Sequence, residues 1–262
     1  MSNIVILSVG KIWNIKSLIG LYKDCQYPVV VSALGLKDSQ IIALKDANFH
    51  VITNPDVESS YYSIEVQLRT ILPGLKYIKD NFSNPIIIKT RNDIYPLDLK
   101  KFLTFVEQNL PREEILQSLG SIYWDEKRHI IDQIIIGHFK DMENFYSNIN
   151  PRLHICVEIC LLLNYEANYQ KTIDNIQFIG EKMLSLGIDF VWYRDRIAHK
   201  YFTAYHSKFI PNYKLRNDNC EDFPQLWMFL IGEFYLSRKN PSKVIKTSEK
   251  SWWQIRAERR LK

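Results

Sequence analysis

Apolar residues follow two rhythms along this chain. One is the short unbroken run: Ile4-Val5-Ile6-Leu7 passing into Ser8-Val9-Gly10, Val29-Val30-Val31 passing into Ser32-Ala33, Phe49-His50-Val51-Ile52, and Ile86-Ile87-Ile88. Continuous β-branched runs of this length predict strands covered on both faces. The other rhythm is a spacing of three and four. It predicts helices over residues 14–24, over Lys37 to Ala47 and over Tyr61 to Asn81. In the last, Ile64, Leu68, Ile71, Leu72, Leu75 and Ile78 mark one buried face. Pro73-Gly74 falls inside it, where a kink can form. Asn54-Pro55-Asp56 is a turn signal that closes the third strand. Strands and helices alternating in this way predict right-handed βαβ units and a mostly parallel twisted α/β sheet with helices on both faces.

Beyond residue 96 the pattern predicts a helix over Leu97 to Gln108, bounded by Pro96 and Pro111. Strands are expected over Leu119 to Trp124 and over His129 to Gly137, with Asp132 at the start of the latter. A helix begins at Phe139. The second half reads as more helical. Pro151 to Leu163 carries its proline near a helix start. Asn168 to Leu186 is a helical mixture with Gly187 as its C-cap. Ile188 to Tyr193 is strand-like, and Asp222 to Leu236 is an apolar helix. The expected organisation is an α/β half over 1–150, a mainly helical half of the same domain over 151–236, and a tail over 237–262.

The chemistry gathers at the fourth strand. Ile86 to Ile88 is followed by Lys89, Arg91 and Asp93, two cations and a carboxylate at alternate positions. In open α/β sheets ligands bind in the crevice beyond the carboxyl ends of the strands. Such a strand end suits an anion, or an anion bridged by a divalent metal. The small residues ending the first strand, Ser8 among them, leave room for a base or phosphate. No Gly-x-Gly-x-x-Gly fingerprint is present, so dinucleotide binding of the Rossmann kind is not expected.

Charge adds a second theme. The chain has 262 residues, 46% hydrophobic and 24% charged, an ordinary globular composition, with a net charge of +5. The charge is uneven: residues 238–262 hold nine Lys/Arg against two Asp/Glu, and the remainder holds 25 against 27. A basic tail with Trp252 and Trp253 suits an anionic membrane surface, each cation adding ~1 kcal/mol, with tryptophan at the interface. A solvated tail that packs its tryptophans on the body is the other reading. The nearly neutral body and the lack of a nucleic-acid motif argue against nucleic acid as a partner. No secretory signal or run of about 20 apolar residues is seen, and Cys25, Cys156, Cys160 and Cys220 form no Cys-x-x-Cys. The expected location is cytoplasmic and reducing, peripheral on the inner face of a bacterial inner membrane.

Three blocks carry a resemblance. Gln67, Thr70 and Gly74-Leu75 precede Lys89-Thr90-Arg91-Asn92-Asp93-Ile94. Asp132-Gln133-Ile134-Ile135-Ile136-Gly137 is followed by Asp141-Met142 and Phe145. Pro151 to Glu158 forms the third. In this order they resemble the WavE-like lipopolysaccharide-synthesis family, bacterial glycosyltransferases of the nucleotide-sugar (GT-A) type, over roughly residues 4–195. The family's usual Arg before the Gln is Val66 here, with Arg69 one turn on.

The resemblance implies transfer of a sugar from a nucleotide-sugar donor to a growing surface glycan: lipopolysaccharide, lipooligosaccharide or capsule. It makes residues 1–150 the donor-binding half and 151–236 the acceptor side. Ser8, Gln67, Lys89, Arg91 and Asp93 are then donor-binding residues. Asp93 matches the second Asp of the Asp-x-Asp that holds Mg²⁺ or Mn²⁺ in similar enzymes, a role one carboxylate can fill with the substrate's phosphates. Arg91 stands where the first Asp would be. This leaves open a metal-free course in which Lys89 and Arg91 neutralise phosphate directly. Asp132 and Glu158 are the candidate bases for the acceptor hydroxyl, the acceptor being a glycan or lipid-linked glycan. The alternative is a degenerate, non-catalytic fold that scaffolds a polysaccharide-synthesis complex, which Arg91 favours.

Overall fold

The computed structural model describes residues 3–12, 15–56, 64–92, 94–124, 127–130, 132–149, 157–194 and 197–200. Asp93, the start of the Pro151 helix, the helix expected at Asp222 to Leu236 and the basic tail lie outside these residues.

The first third follows the apolar rhythm. β1 (Ile4–Gly10), β2 (Val29–Leu34) and β3 (His50–Asn54) alternate with α1 (Ile15–Tyr22) and α2 (Asp38–Asp46). Then come α3 (Ile64–Asn81), β4 (Ile86–Arg91), β5 (Ile94–Pro96) and α4 (Leu99–Gln108). Asp98 starts α4 by accepting the Lys101 N–H at 2.9 Å. The chain continues through β6 (Leu116–Ser118), β7 (Ser121–Trp124), β8 (Lys127–Ile130), β9 (Ile135–His138) and α5 (Phe139–Tyr146). It then runs through α6 (Val157–Tyr169), β10 (Ile176–Phe178), α7 (Gly180–Ser185), β11 (Phe190–Arg194) and β12 (Ile197–Lys200).

Among the described residues seven strands form one sheet in the order β10-β6-β9-β4-β1-β2-β3. It is mostly parallel, as expected. β9 runs against both β4 and β6 and is its reversed member. Side chains alternate between two cores. Ile4, Ile6, Val29, Val31, Ile86 and Ile88 face α1, α2, α4 and α7. Val5, Leu7, Val30 and Ile87 face α3, α5 and α6. Helices therefore cover both faces, which is why these strands are apolar throughout. A second sheet, β12-β11-β5, grows from the chain just past β4.

Three expectations change. α3 runs through Pro73 as one helix, with Leu72 on its outer side at 39% exposure. The single strand expected over His129 to Gly137 is two, because the chain bends between β8 and β9. The helix expected over Asn168 to Leu186 breaks after Tyr169. There Gln170 takes φ +53°, and Thr172 and Asn175 close a short 3₁₀ turn by reciprocal side-chain bonds. Polar side chains that bond the local backbone compete with helix. The chain then enters β10, which joins the main sheet, so the second half is less helical than its composition suggests.

Two parts of the motif blocks are packing devices. A Cβ on Gly74 would meet Leu7 Cδ1 at 2.5 Å, so glycine lets α3 lie close on β1. A Cβ on Gly137 would meet Leu116 Cδ2 at 2.4 Å. Asp141 Oδ2 accepts the Glu114 N–H at 2.9 Å and so holds the turn that leads into β6. Met142 and Phe145 are fully buried.

Gly74→Val is expected to lower stability by about 1–3 kcal/mol through overpacking, read as a fall in the urea midpoint. Gly20→Ala, with nothing within 4 Å of the new methyl, should raise it slightly. Burial raises the Asp141 carboxyl above its ordinary 3.8. The folded state therefore binds the extra proton, and stability falls as pH climbs from 3.8 through the raised value. In Asp141→Asn, pH-dependent unfolding should lack that fall.

Candidate functional site

Strand order reverses its sense at the β1–β4 pair: β2 and β3 build to one side, β9, β6 and β10 to the other. The crevice rule directs attention to the carboxyl ends of these two strands. The register sets Val9 opposite Arg91. β1 ends on Gly10 with φ +104°, a backbone turn that favours glycine.

Asn92 ties the two ends together. Its N–H donates to the Val9 carbonyl at 2.7 Å, and its Nδ2 donates to the Gly10 carbonyl at 2.7 Å. Its Oδ1 accepts from the Ser8 hydroxyl at 2.6 Å, and its own carbonyl accepts from the Tyr95 hydroxyl. Ser8 and Asn92 are both fully buried. The Ser8 hydroxyl, expected at the donor, is thus committed to an internal partner. Asn92 was not among the expected site residues. Its signal was available: an amide with both donor and acceptor, directly after a core strand, can bind a neighbouring strand end on two sides.

Lys89 departs most from expectation. Counted along β4 it falls on the face of Ile87, not on an open strand end, and its exposure is 0%. Nζ stands 3.3 Å from Asp132 Oδ2 and also donates to the main-chain carbonyl of Asp132. The Tyr146 ring, from α5, has its centroid 5.9 Å away. Because β9 is antiparallel, Ile135 pairs with Lys89 and the preceding residues lie toward the carboxyl end of β4. This bends Asp132 inward and ends the strand expected there. The structure therefore brings Lys89 and Asp132 together as a buried ion pair.

Two cations and three oxygens remain to be placed. Arg91 is half-buried at the end of β4, on the same face as Lys89. Gln67 is half-buried near the start of α3. Gly74 packs on Leu7, and Gln67 lies two turns back, about 10 Å along the helix. That sets it over the end of β1. Gln67 Oε1, Asp132 Oδ1 and Gln133 Oε1 are buried and accept no hydrogen bond from the described residues. An unsatisfied buried acceptor costs roughly 1–3 kcal/mol, so each of these oxygens suits a partner that brings an O–H or N–H group. Gln133, 4% exposed, was not among the expected site residues. Lys11, just past Gly10, lies 3.7 Å from Asp56 across the mouth of β3.

Glu158 is the second residue of α6, and its side chain lies outside the described residues, as does Asp93. No cluster of three His, Cys, Asp or Glu that could hold a metal occurs among the described residues. Asp132 is a poor metal ligand beside an ammonium group. A Mg²⁺ or Mn²⁺ bound chiefly through substrate phosphates needs one protein carboxylate, and Asp93 fits that need by type and position in the sequence. No helix among the described residues is long and apolar enough to cross a membrane.

Removing one partner of a buried pair leaves an uncompensated charge. Lys89→Met is expected to cost about 3–5 kcal/mol, while Lys89→Met with Asp132→Asn should recover most of it. Chemical denaturation of the two variants checks both values.

No family model matches the chain, and no curated protein matches its sequence. Solved structures with some similarity include a mannosyltransferase from Pyrobaculum calidifontis in complex with GDP-Man and Mn²⁺. It is 8% identical with a TM-score of 0.46, covering 99% of this chain and 79% of its own. The glucosyl-3-phosphoglycerate synthase of Mycobacterium tuberculosis, solved with Mn²⁺, UDP and glucosyl-3-phosphoglycerate, is 13% identical with a TM-score of 0.40 over 76% of this chain and 87% of its own. A glycosyltransferase involved in glycosylation of the major capsid of PBCV-1 is 11% identical with a TM-score of 0.40 over 67% and 80%. Others are nucleotidyltransferases. No residue role passes from any of them to this chain.

Proposed function

We propose that the chain is a glycosyltransferase that moves a sugar from a nucleotide-sugar donor to a growing surface glycan. The observation that supports this reading is the switch of strand order at β1 and β4, with Arg91 at the end of β4, Asp132 toward that same end, and acceptor oxygens of Gln67 and Asp132 buried without a partner among the described residues. A nucleotide sugar offers the matching groups: phosphates for the cation and hydroxyls for the oxygens. The resemblance to the WavE-like family, in the same three blocks, supports the glycan as acceptor. The basic tail with Trp252 and Trp253 supports a peripheral place on an anionic inner membrane, where a lipid-linked acceptor would be met.

In the inverting course the acceptor oxygen bonds to the anomeric carbon while its proton passes to a carboxylate, Asp132 or Glu158. The glycosyl–phosphate bond breaks, and its electrons leave with the nucleotide. The anomeric carbon gains oxocarbenium-like charge on the way. Arg91 stabilises the charge that gathers on the departing phosphate. A bound Mg²⁺ or Mn²⁺, held by Asp93, would add to that neutralisation.

Thermal denaturation with UDP-, GDP- and CMP-sugars, with and without Mn²⁺, tests the reading. One donor at ~100 times its Kd should add about 2.7 kcal/mol to stability. Asp93→Ala should remove most of that gain, together with slow hydrolysis of the donor. Donor binding and turnover left intact in Asp93→Ala defeat the reading. A native chain that binds no nucleotide at all fits the scaffold instead.

A further inference from the structure

Lys89 was expected to meet the donor phosphate from the end of β4. The geometry gives it other work. Its Nζ engages one residue at two points, the Oδ2 of Asp132 at 3.3 Å and the main-chain carbonyl of the same residue. Two bonds from one ammonium to one residue fix both the backbone at 132 and the turn of its carboxylate. Lys89 is 0% exposed and has an aromatic ring 5.9 Å away. A phosphate reaching it would have to displace a buried carboxylate, and a charge left unpaired in the interior is costly.

With Oδ2 held, Oδ1 is the oxygen the lysine does not bond. It is buried and accepts no hydrogen bond from the described residues. A carboxylate oxygen accepts and never donates while ionised, so its partner must bring an O–H or N–H. Asp132 lies toward the carboxyl end of β4, on the strand-end side of the Lys89–Ile135 pair. Asp132 is as buried as Lys89, but a hydroxyl that reaches Oδ1 leaves the ion pair through Oδ2 intact, whereas a phosphate on Nζ does not.

We propose that Lys89 is a positioning residue: it acts on the reaction through Asp132, turning Oδ1 to receive a substrate hydroxyl, and does not bind the donor phosphate. This rests on the glycosyltransferase reading. The hydroxyl belongs either to the donor sugar or to the attacking acceptor, with water as the acceptor in hydrolysis.

The test uses the full chain, native and as Lys89→Met, Asp132→Asn and the double variant, in calorimetry and donor hydrolysis. The probes are UDP with UDP-glucose, GDP with GDP-mannose, and CMP with CMP-sialic acid. The double variant, neutral at both positions, keeps the comparison valid if Lys89→Met fails to fold. Affinity for the free nucleotide should change less than twofold in every variant. If Oδ1 meets the donor sugar, the extra affinity of nucleotide sugar over nucleotide falls at least tenfold in Asp132→Asn and in the double variant. If it meets the acceptor, that extra affinity stays and hydrolysis at saturating donor falls at least tenfold. In both cases the double variant is no worse than the worse single variant, because Lys89 works only through Asp132.

Tenfold or greater weakening of the free nucleotide in variants lacking Lys89, but not in Asp132→Asn, makes Lys89 a phosphate ligand and overturns the proposal. Unchanged affinity and hydrolysis in all variants mean that Oδ1 holds only a buried water, and overturn it equally. A native chain that binds none of the probes overturns the glycosyltransferase reading itself.

Discussion

A lysine in the middle of an apolar core is the constraint on which much of this structure depends. Lys89 follows three isoleucines on β4 and points to the same core as Ile87. A buried ammonium is tolerable only with an opposite charge and hydrogen-bond acceptors at hand. Asp132, 43 residues downstream, supplies one of each. The bend that separates β8 from β9 lets the chain meet that requirement. So does the antiparallel course of β9, since a reversed strand brings residue 132 to the carboxyl end of β4.

The consequence for the rim is a division of labour. Of the charged residues at the end of β4, Lys89 is fully buried against Asp132, and Arg91 is half-buried. Asn92 is answered internally as well, holding β1 and β4 together at the point where a crevice would otherwise loosen them. A rim built in this way is stiff at its base, and rigid supports are what place reacting groups accurately.

Strand positions and the parallel βαβ beginning are legible in the sequence because their apolar runs are long and unmixed. The cores alternate as the runs imply: Ile86 and Ile88 one way, Ile87 the other. The departures share a physical cause. Spacing alone puts Leu72 on the buried face, because it does not fix where a helix face begins. The 168–186 segment reads as helical residue by residue, yet Thr172 and Asn175 bond locally and stop it. Lys89 looks like an open strand end in the sequence, where a charge is visible but its partner is not. Asp132 stands out by its motif block, and only the fold shows that the two belong together. Gly137 and Asp141, from the same block, prove to be matters of packing and turn geometry.

The Ser8–Asn92 bond joins residues 84 apart in the chain. During synthesis at about 5–20 residues per second, β1 leaves the ribosome roughly 4–17 s before Asn92 follows it to secure its end. For that time the strand destined for the centre of the sheet has β2 on one side and an unpaired edge on the other. An unpaired apolar edge readily recruits other strands. The contact that later stiffens the rim therefore also closes the interval in which that edge of β1 is open to wrong pairing.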